Sequence, residues 1–168
     1  MNSGLEQVKA AIILALEKSG TVAVPALAPG RAKSYDTPVV AVGFRMGESR
    51  SIAMNNYLGQ QIDPDSQTVR EVYGMQLELL LSMDIFSPVE LGAQGCEDTL
   101  TALHRVMMEG LPAGIKPTEL KWEETSWDAD TGMFLRRGSL SCGAYFLAMA
   151  NEEGAMLTDF ILKGVLTK

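Results

Sequence analysis

Alternation dominates the middle of the chain. From Val72 to Phe86, the residues Tyr73, Met75, Leu77, Leu79, Leu81, Met83 and Ile85 share one parity. Gly74, Gln76, Glu78, Ser82 and Asp84 share the other, interrupted by Leu80. Period two marks a strand, because a helix would scatter both sets around its circumference. At about 3.3 Å per residue this stretch would extend roughly 50 Å, whereas a compact domain of this length is about 40 Å across. The strand is therefore expected either to bend at a bulge near Gly74 or Leu80 or to project. A projecting strand exposes unpaired backbone, which another copy of the chain could cover.

"SIAMNNYLGQQI" precedes this stretch across "DPDSQT", whose Asp, Pro and Ser residues are turn formers. The pattern predicts a hairpin over 52–86 with its tip at Asp63 to Thr68. Asp63, Asp65, Ser66, Tyr73 and Leu79 are the expected inter-subunit residues of that hairpin, with the tip expected to become ordered on assembly.

Elsewhere, Leu5, Val8, Ile12 and Leu16 form a one-faced stripe that predicts a first helix, stopped at Ser19-Gly20. Thr21 to Pro38 reads as a loop with a short extended piece at "TVAV", and "PVVAVGFRMG" reads as a strand. Cys96, Leu100, Leu103 and Met107 make a second helical stripe, with Glu97 and Asp98 in its expected first turn and Gly110 and Pro112 at its end. "GLPAGIKP" is a connecting loop, and "ELKWEETSW" a strand. "DADTG" is a tight turn into the long extended "MFLRRGSLSCGAYFLAMA". "NEEG" turns the chain into a last strand, "AMLTDFILKGVLT". This order predicts one α+β domain over residues 1–168, a single antiparallel or mixed sheet with a long hairpin, packed on one face by two helices.

Composition narrows the function. The chain has 21 acidic and 14 basic residues, for a net charge of −7. That balance argues against nucleic-acid backbones and anionic membranes as partners, since both call for a basic surface. No apolar run is long enough to span a bilayer, and two cysteines at wide spacing make neither a disulfide framework nor a four-ligand zinc site. The expected setting is cytosolic.

Catalytic patterns are sparse. His104, the only histidine, follows Leu103 in a helical stripe and reads as structural. "GSLSCG" lacks the glycine spacing of a nucleophile elbow, and Cys142 in mid-strand has no neighbouring base. "DADTG" lacks the distal acid of a calcium loop and reads as a hairpin turn. Glu123, Glu124, Asp128 and Asp130 read as a solvated strand end and turn. No catalysis, metal or cofactor is expected. Two rival readings are a ligand-binding domain with a methionine-rich apolar pocket lined by Met75, Leu77, Met83, Leu103, Met107 and Phe146, and a hydrolase using Cys142 or the carboxylates.

An N-terminal helix, a long hairpin, the strand end "MDIFSP" leading into the helix "CEDTLTALHRVM", and later strands ending in a hydrophobic one resemble the tail-terminator, or tail-completion, proteins of long-tailed bacteriophages and prophages. The segment Met83 to Met107 carries the likeness most strongly. The loop around Gly30 and "GESRSIAMNNYLG" are similar to prophage proteins of anaerobic Gram-positive bacteria. The resemblance implies a non-catalytic α+β subunit that assembles with itself into a ring, typically a hexamer, capping the tail tube and meeting the head connector. It would be made in the host cytoplasm and end in the virion tail or a tail-like particle, with its Ser/Gly-rich or acidic faces lining a lumen or meeting the tube.

Overall fold

The computed structural model describes residues 4–27, 35–111, 114–151 and 159–162. Helix α1 spans Gly4–Lys18 and buries Val8, Ile12 and Leu16 completely. Gly4, not Leu5, completes the stripe: Leu5 is solvent-exposed, whereas a Cβ on Gly4 would strike the ring of Phe146. The helix ends in a Schellman motif, Thr21 N–H donating to the Leu16 carbonyl at 3.0 Å and Gly20 N–H to that of Glu17 at 3.0 Å. Gly20 supplies the left-handed conformation this needs, at φ 86°.

Strand β1 is Val22–Val24, and β2 is Val39–Ser51. The expected first hairpin arm is shorter than its sequence pattern, because Met54–Asn56 form a 3-10 turn with Asn55 and Asn56 both at positive φ. Strand β3 is thus only Tyr57–Ile62, and β4 is Val69–Ser87. Helix α2 covers Gly92–Glu109, which puts Glu97 and Asp98 beyond its first turn. The remaining strands are β5 (Lys116–Trp122), β6 (Ser126–Asp128), β7 (Met133–Arg136), β8 (Gly138–Asn151) and β9 (Asp159–Leu162).

These strands form one mixed, mostly antiparallel sheet, and the two helices pack on one of its faces, so the fold is α+β. The parallel element is β1 beside β2; all other pairings are antiparallel. Strand β4 is the spine. On one side it pairs with β2, then β3; on the other with β7, then β8.

Irregularities arise close to the expected positions, opposite Leu80 and beside Gly74, but in the strands that pair with β4 and not in β4 itself. Its register with β8 runs without a shift from Arg70 opposite Asn151 to Ser82 opposite Ser139. The irregularities fall in its shorter partners, between Phe44 and Met46 and between Tyr57 and Gly59. A spine with a neighbour on each side satisfies its own backbone, so the bulges are displaced outward. The extended segment expected from Met133 onward is two strands, stepping out of the sheet at Arg137, where Glu123 N–H donates to the Arg137 carbonyl at 2.9 Å.

Leu77, Leu79, Leu81, Met83 and Ile85 of β4 meet Val40 and Val42 of β2, Leu140 and Cys142 of β8, and the inner faces of both helices in the main core. The opposite face carries a smaller cluster at one end, where Val39, Phe86, Met133 and Leu135 pack against Leu27 and Tyr35. Buried Arg136, at the end of β7, donates to Thr125 Oγ1 at 2.8 Å and pairs with Glu97 of α2. The loop around Gly30, Pro112, the "NEEG" turn and most of the last predicted strand lie outside the described residues.

Candidate functional site

Beyond the small cluster, the sheet face away from the helices has no layer over it among the described residues. Rows across β2, β4, β8 and β5 give its chemistry: Gly43, Ser82, Ser139 and Lys121 in one row, and Glu48, Glu78, Gly143 and Lys116 in another. Leu80 and Ser141 lie between them. Two open grooves run here. One of about 500 Å³ is bordered by Arg45, Lys121, Glu123, Arg137 and Ser139. The other, about 700 Å³, is bordered by Met46, Glu48, Glu78, Leu80, Thr118 and Ser141.

Several charges on this face are paired. Arg50 holds Glu48 with two hydrogen bonds of 3.0 and 3.2 Å and lies 3.7 Å from Glu78. The bonded guanidinium keeps the Glu48 carboxyl below its ordinary value. Lys121 bridges Glu119 at 3.1 Å. Asp84, beside Arg45 at 3.7 Å, accepts a hydrogen bond from Gly138 N–H at 3.4 Å. Burial nevertheless pushes its pKa up, because desolvation outweighs those favourable contacts.

Among the described residues, the two sides of the sheet end in unpaired backbone. Only Val39–Ala41 of β2 have an outer partner, so its outer edge is open from Val42 to Ser51 among the described strands. The outer edge of β5 is likewise open. Several large apolar side chains lie near these edges, Met46 at 67% exposure, Trp122 at 47% and Met54 at 87%.

The expected hairpin residues divide. Asp63, Asp65 and Ser66 are at the tip, where the Asp63 carboxylate accepts from the amides of Asp65 at 3.0 Å and Ser66 at 3.3 Å. Those bonds hold its pKa down. Asp63 N–H donates to the Thr68 carbonyl at 3.0 Å and Gln67 N–H to the Asp63 carbonyl at 2.8 Å, closing the same turn. Tyr73 meets Tyr57 edge-on at 5.5 Å and donates to Glu71 at 2.8 Å. Leu79 is 5% exposed and packs in the main core beneath the helices, so its side chain serves the interior and not an outer contact. Parity along the strand carried that information: Leu79 shares the face of Leu77 and Leu81. The open edges were missed, because which strand is outermost depends on pairing.

The candidate chemical groups are dispersed. His104 hydrogen-bonds the Leu100 carbonyl through Nδ1 at 2.8 Å and lies edge-on to Trp122 at 5.0 Å. Cys142 is buried, which pushes its thiol up to about 11 and keeps it protonated. In "DADTG", Thr131 donates to the Asp128 carboxylate at 2.6 Å and Gly132 N–H to the Asp128 carbonyl at 2.8 Å, the bonding of a turn. No group of three His, Cys, Asp or Glu side chains able to hold a metal gathers among the described residues. Leu77, Met83 and Leu103, expected around a methionine-rich pocket, are packed in the core, and both grooves lie on the other face. No family model matches the chain, and no curated protein matches it.

Proposed function

We propose that this protein is a non-enzymatic structural subunit that works as a ring of identical copies. On this reading it ends the tail tube of a long-tailed bacteriophage or tail-like particle and joins it to the head connector. The observation that best supports it is a sheet that, among the described residues, has one helix-covered face, one polar uncovered face, and open edges on both sides. A lone subunit leaves those edges unsatisfied, whereas side-by-side copies cover them. The uncovered face, rich in Ser and Gly and carrying paired charges, suits a water-filled lumen better than a dry contact.

The test is the molar mass of the purified protein, by light scattering across a dilution series, followed by co-sedimentation with assembled tail tubes. A discrete oligomer that binds tube ends is expected. A protein that stays monomeric alone and with tubes, and gains thermal stability from a small apolar ligand, would replace this reading with the ligand-binding one.

A further inference from the structure

We propose that copies of this chain join edge to edge, the outer edge of β2 in one copy pairing antiparallel with the outer edge of β5 in the next. Gly47–Ser51 lies against Thr118–Trp122, with Glu48 opposite Lys121 and Arg50 opposite Glu119. This rests on the ring reading and names the surface that makes the ring.

Direction comes first. Strand β2 is antiparallel to β4, β4 to β8, and β8 to β5, so β2 and β5 run oppositely. Identical copies placed side by side therefore meet as an antiparallel pair. Register comes from charge. Glu48, through its pairing with Glu78, and Glu119 and Lys121, through theirs with Ser141 and Ser139, share the uncovered face. In the proposed register both cross-strand pairs are opposite in sign. A slip of two residues one way sets Glu48 against Glu119; a slip the other way sets Glu48 against Glu123 and Arg50 against Lys121. Like charges directly opposite destabilise a sheet, so this register is favoured over the slips of two residues on either side of it. On the helix-side face, exposed Trp122 falls opposite Gly47, where an aromatic ring can cover bare backbone.

The stagger also closes. Within one copy the row through Lys121 passes Ser139 and Ser82, while the row through Glu48 passes Glu78 and Gly143. Joining Lys121 to the neighbour's Glu48 shifts each copy by the distance from Glu78 to Ser82, about 13 Å along the strands, for about 19 Å across four strands. The resulting tilt is about 35°, at the edge of the 35–45° typical of closed sheets. Six copies at about 23 Å each would close a cylinder roughly 45 Å across between backbones. The helix layer, needing the larger circumference, falls outside. Charged edge strands usually keep sheets apart; here both edges alternate in sign and match in one register.

Within a single copy Glu48 and Lys121 are on opposite edges, about 19 Å apart between backbones, so a contact between them reports on neighbouring copies. A zero-length carbodiimide cross-linker applied to the native protein should join Glu48 to Lys121 in the oligomer, identified by mass spectrometry. Glu48→Lys and Lys121→Glu should each raise the concentration of half-dissociation by about tenfold or more, and the double reversal should recover most of the loss. A ring that lacks the cross-link and is indifferent to both reversals overturns the edge pairing and leaves the ring reading standing. Sensitivity to Glu48→Lys but not to Lys121→Glu overturns it in favour of β2 meeting another surface. A protein monomeric at every concentration, with and without tubes, and never cross-linked at this pair overturns both.

Discussion

Leu80 and Leu81 are adjacent in β4 and face opposite sides of the sheet, so truncating each to Ala measures what each face buries. Leu81 is fully buried in the main core, between Phe44 and Leu140. Removing its three outer carbons forfeits about 2.4 kcal/mol of transfer free energy at ~0.8 kcal/mol per carbon. An unrelaxed cavity on the order of 70 Å³ adds up to about 1.7 kcal/mol at ~24 cal/mol per Å³. The expected cost is thus about 4 kcal/mol, a large share of a typical domain's stability, and a fall in Tm of about 8–16 °C. Leu80 is half-buried beside Met46 and Ser141 along the open groove, and Leu80→Ala should cost about 1 kcal/mol or less. Urea unfolding followed by far-ultraviolet circular dichroism reads both, at one protein concentration so that assembly contributes equally. Equal costs for the two variants would refute the reasoning, because they would mean that the face away from the helices is covered in the free protein.

Two further outcomes follow from close approach and from burial of charge. Gly95 lies where α2 crosses β4, and a Cβ there would be 2.1 Å from Ser87 Oγ. Gly95→Ala should therefore lower stability by about 1–3 kcal/mol, although helix propensity alone would raise it by about 1 kcal/mol. Ser87→Ala in the same chain should recover part of the loss, and a thermal melt showing Gly95→Ala to be the more stable protein would exclude so close a contact. Asp84 and Asp63 should respond to acid in opposite senses. The folded pKa of Asp84 is raised, so its charge weakens the fold at neutral pH and stability is gained as pH falls through that raised value. Asp63 is depressed, so its contribution is present above the unfolded value of about 3.9 and is lost as pH falls through the folded one. Asp84→Asn should be neutral or stabilising near pH 7 in urea titrations; clear destabilisation would mean that Arg45 and Arg137 outweigh burial. Amide exchange at Asp65 and Ser66 should accelerate selectively in acid, and an unchanged rate would show that the Asp63 bonds do not hold the turn.

Local signals in this chain were legible where one face or one turn decided them. Strand β4 shows its buried face because Leu77 to Ile85 alternate without error, and "DPDS" marks the tip because Asp63 bonds its own amides. Helix α2 was found from its stripe but not its start, since Leu91 at the N-cap makes no side-chain bond and Gly92 opens the helix at φ 62°. The β2 pattern was harder, because the irregularity between Phe44 and Met46 reverses which parity faces the helices. Arg136 gave no local hint of its partners, Glu97 and Thr125, 39 and 11 residues away.

The candidate site belongs with this second group. Glu48 and Lys121 are unremarkable surface charges until β8 is threaded between β4 and β5, leaving Glu48 of β2 and Lys121 of β5 on opposite edges of the described strands. Once the order is known, the same charges acquire a direction, a register and a stagger, none of which is a property of either segment alone. An edge function is a property of topology: the chain's strongest sequence signal, the uninterrupted β4, lies at the centre of the sheet, with neighbours on both sides. Its length contributes indirectly, by carrying β2 and β8 far enough that four strands share rows across the uncovered face. If the edges do pair, the long strand is needed for the reach of the ring wall and not as a contact arm, and mutations in its buried face should weaken assembly only as far as they weaken the fold.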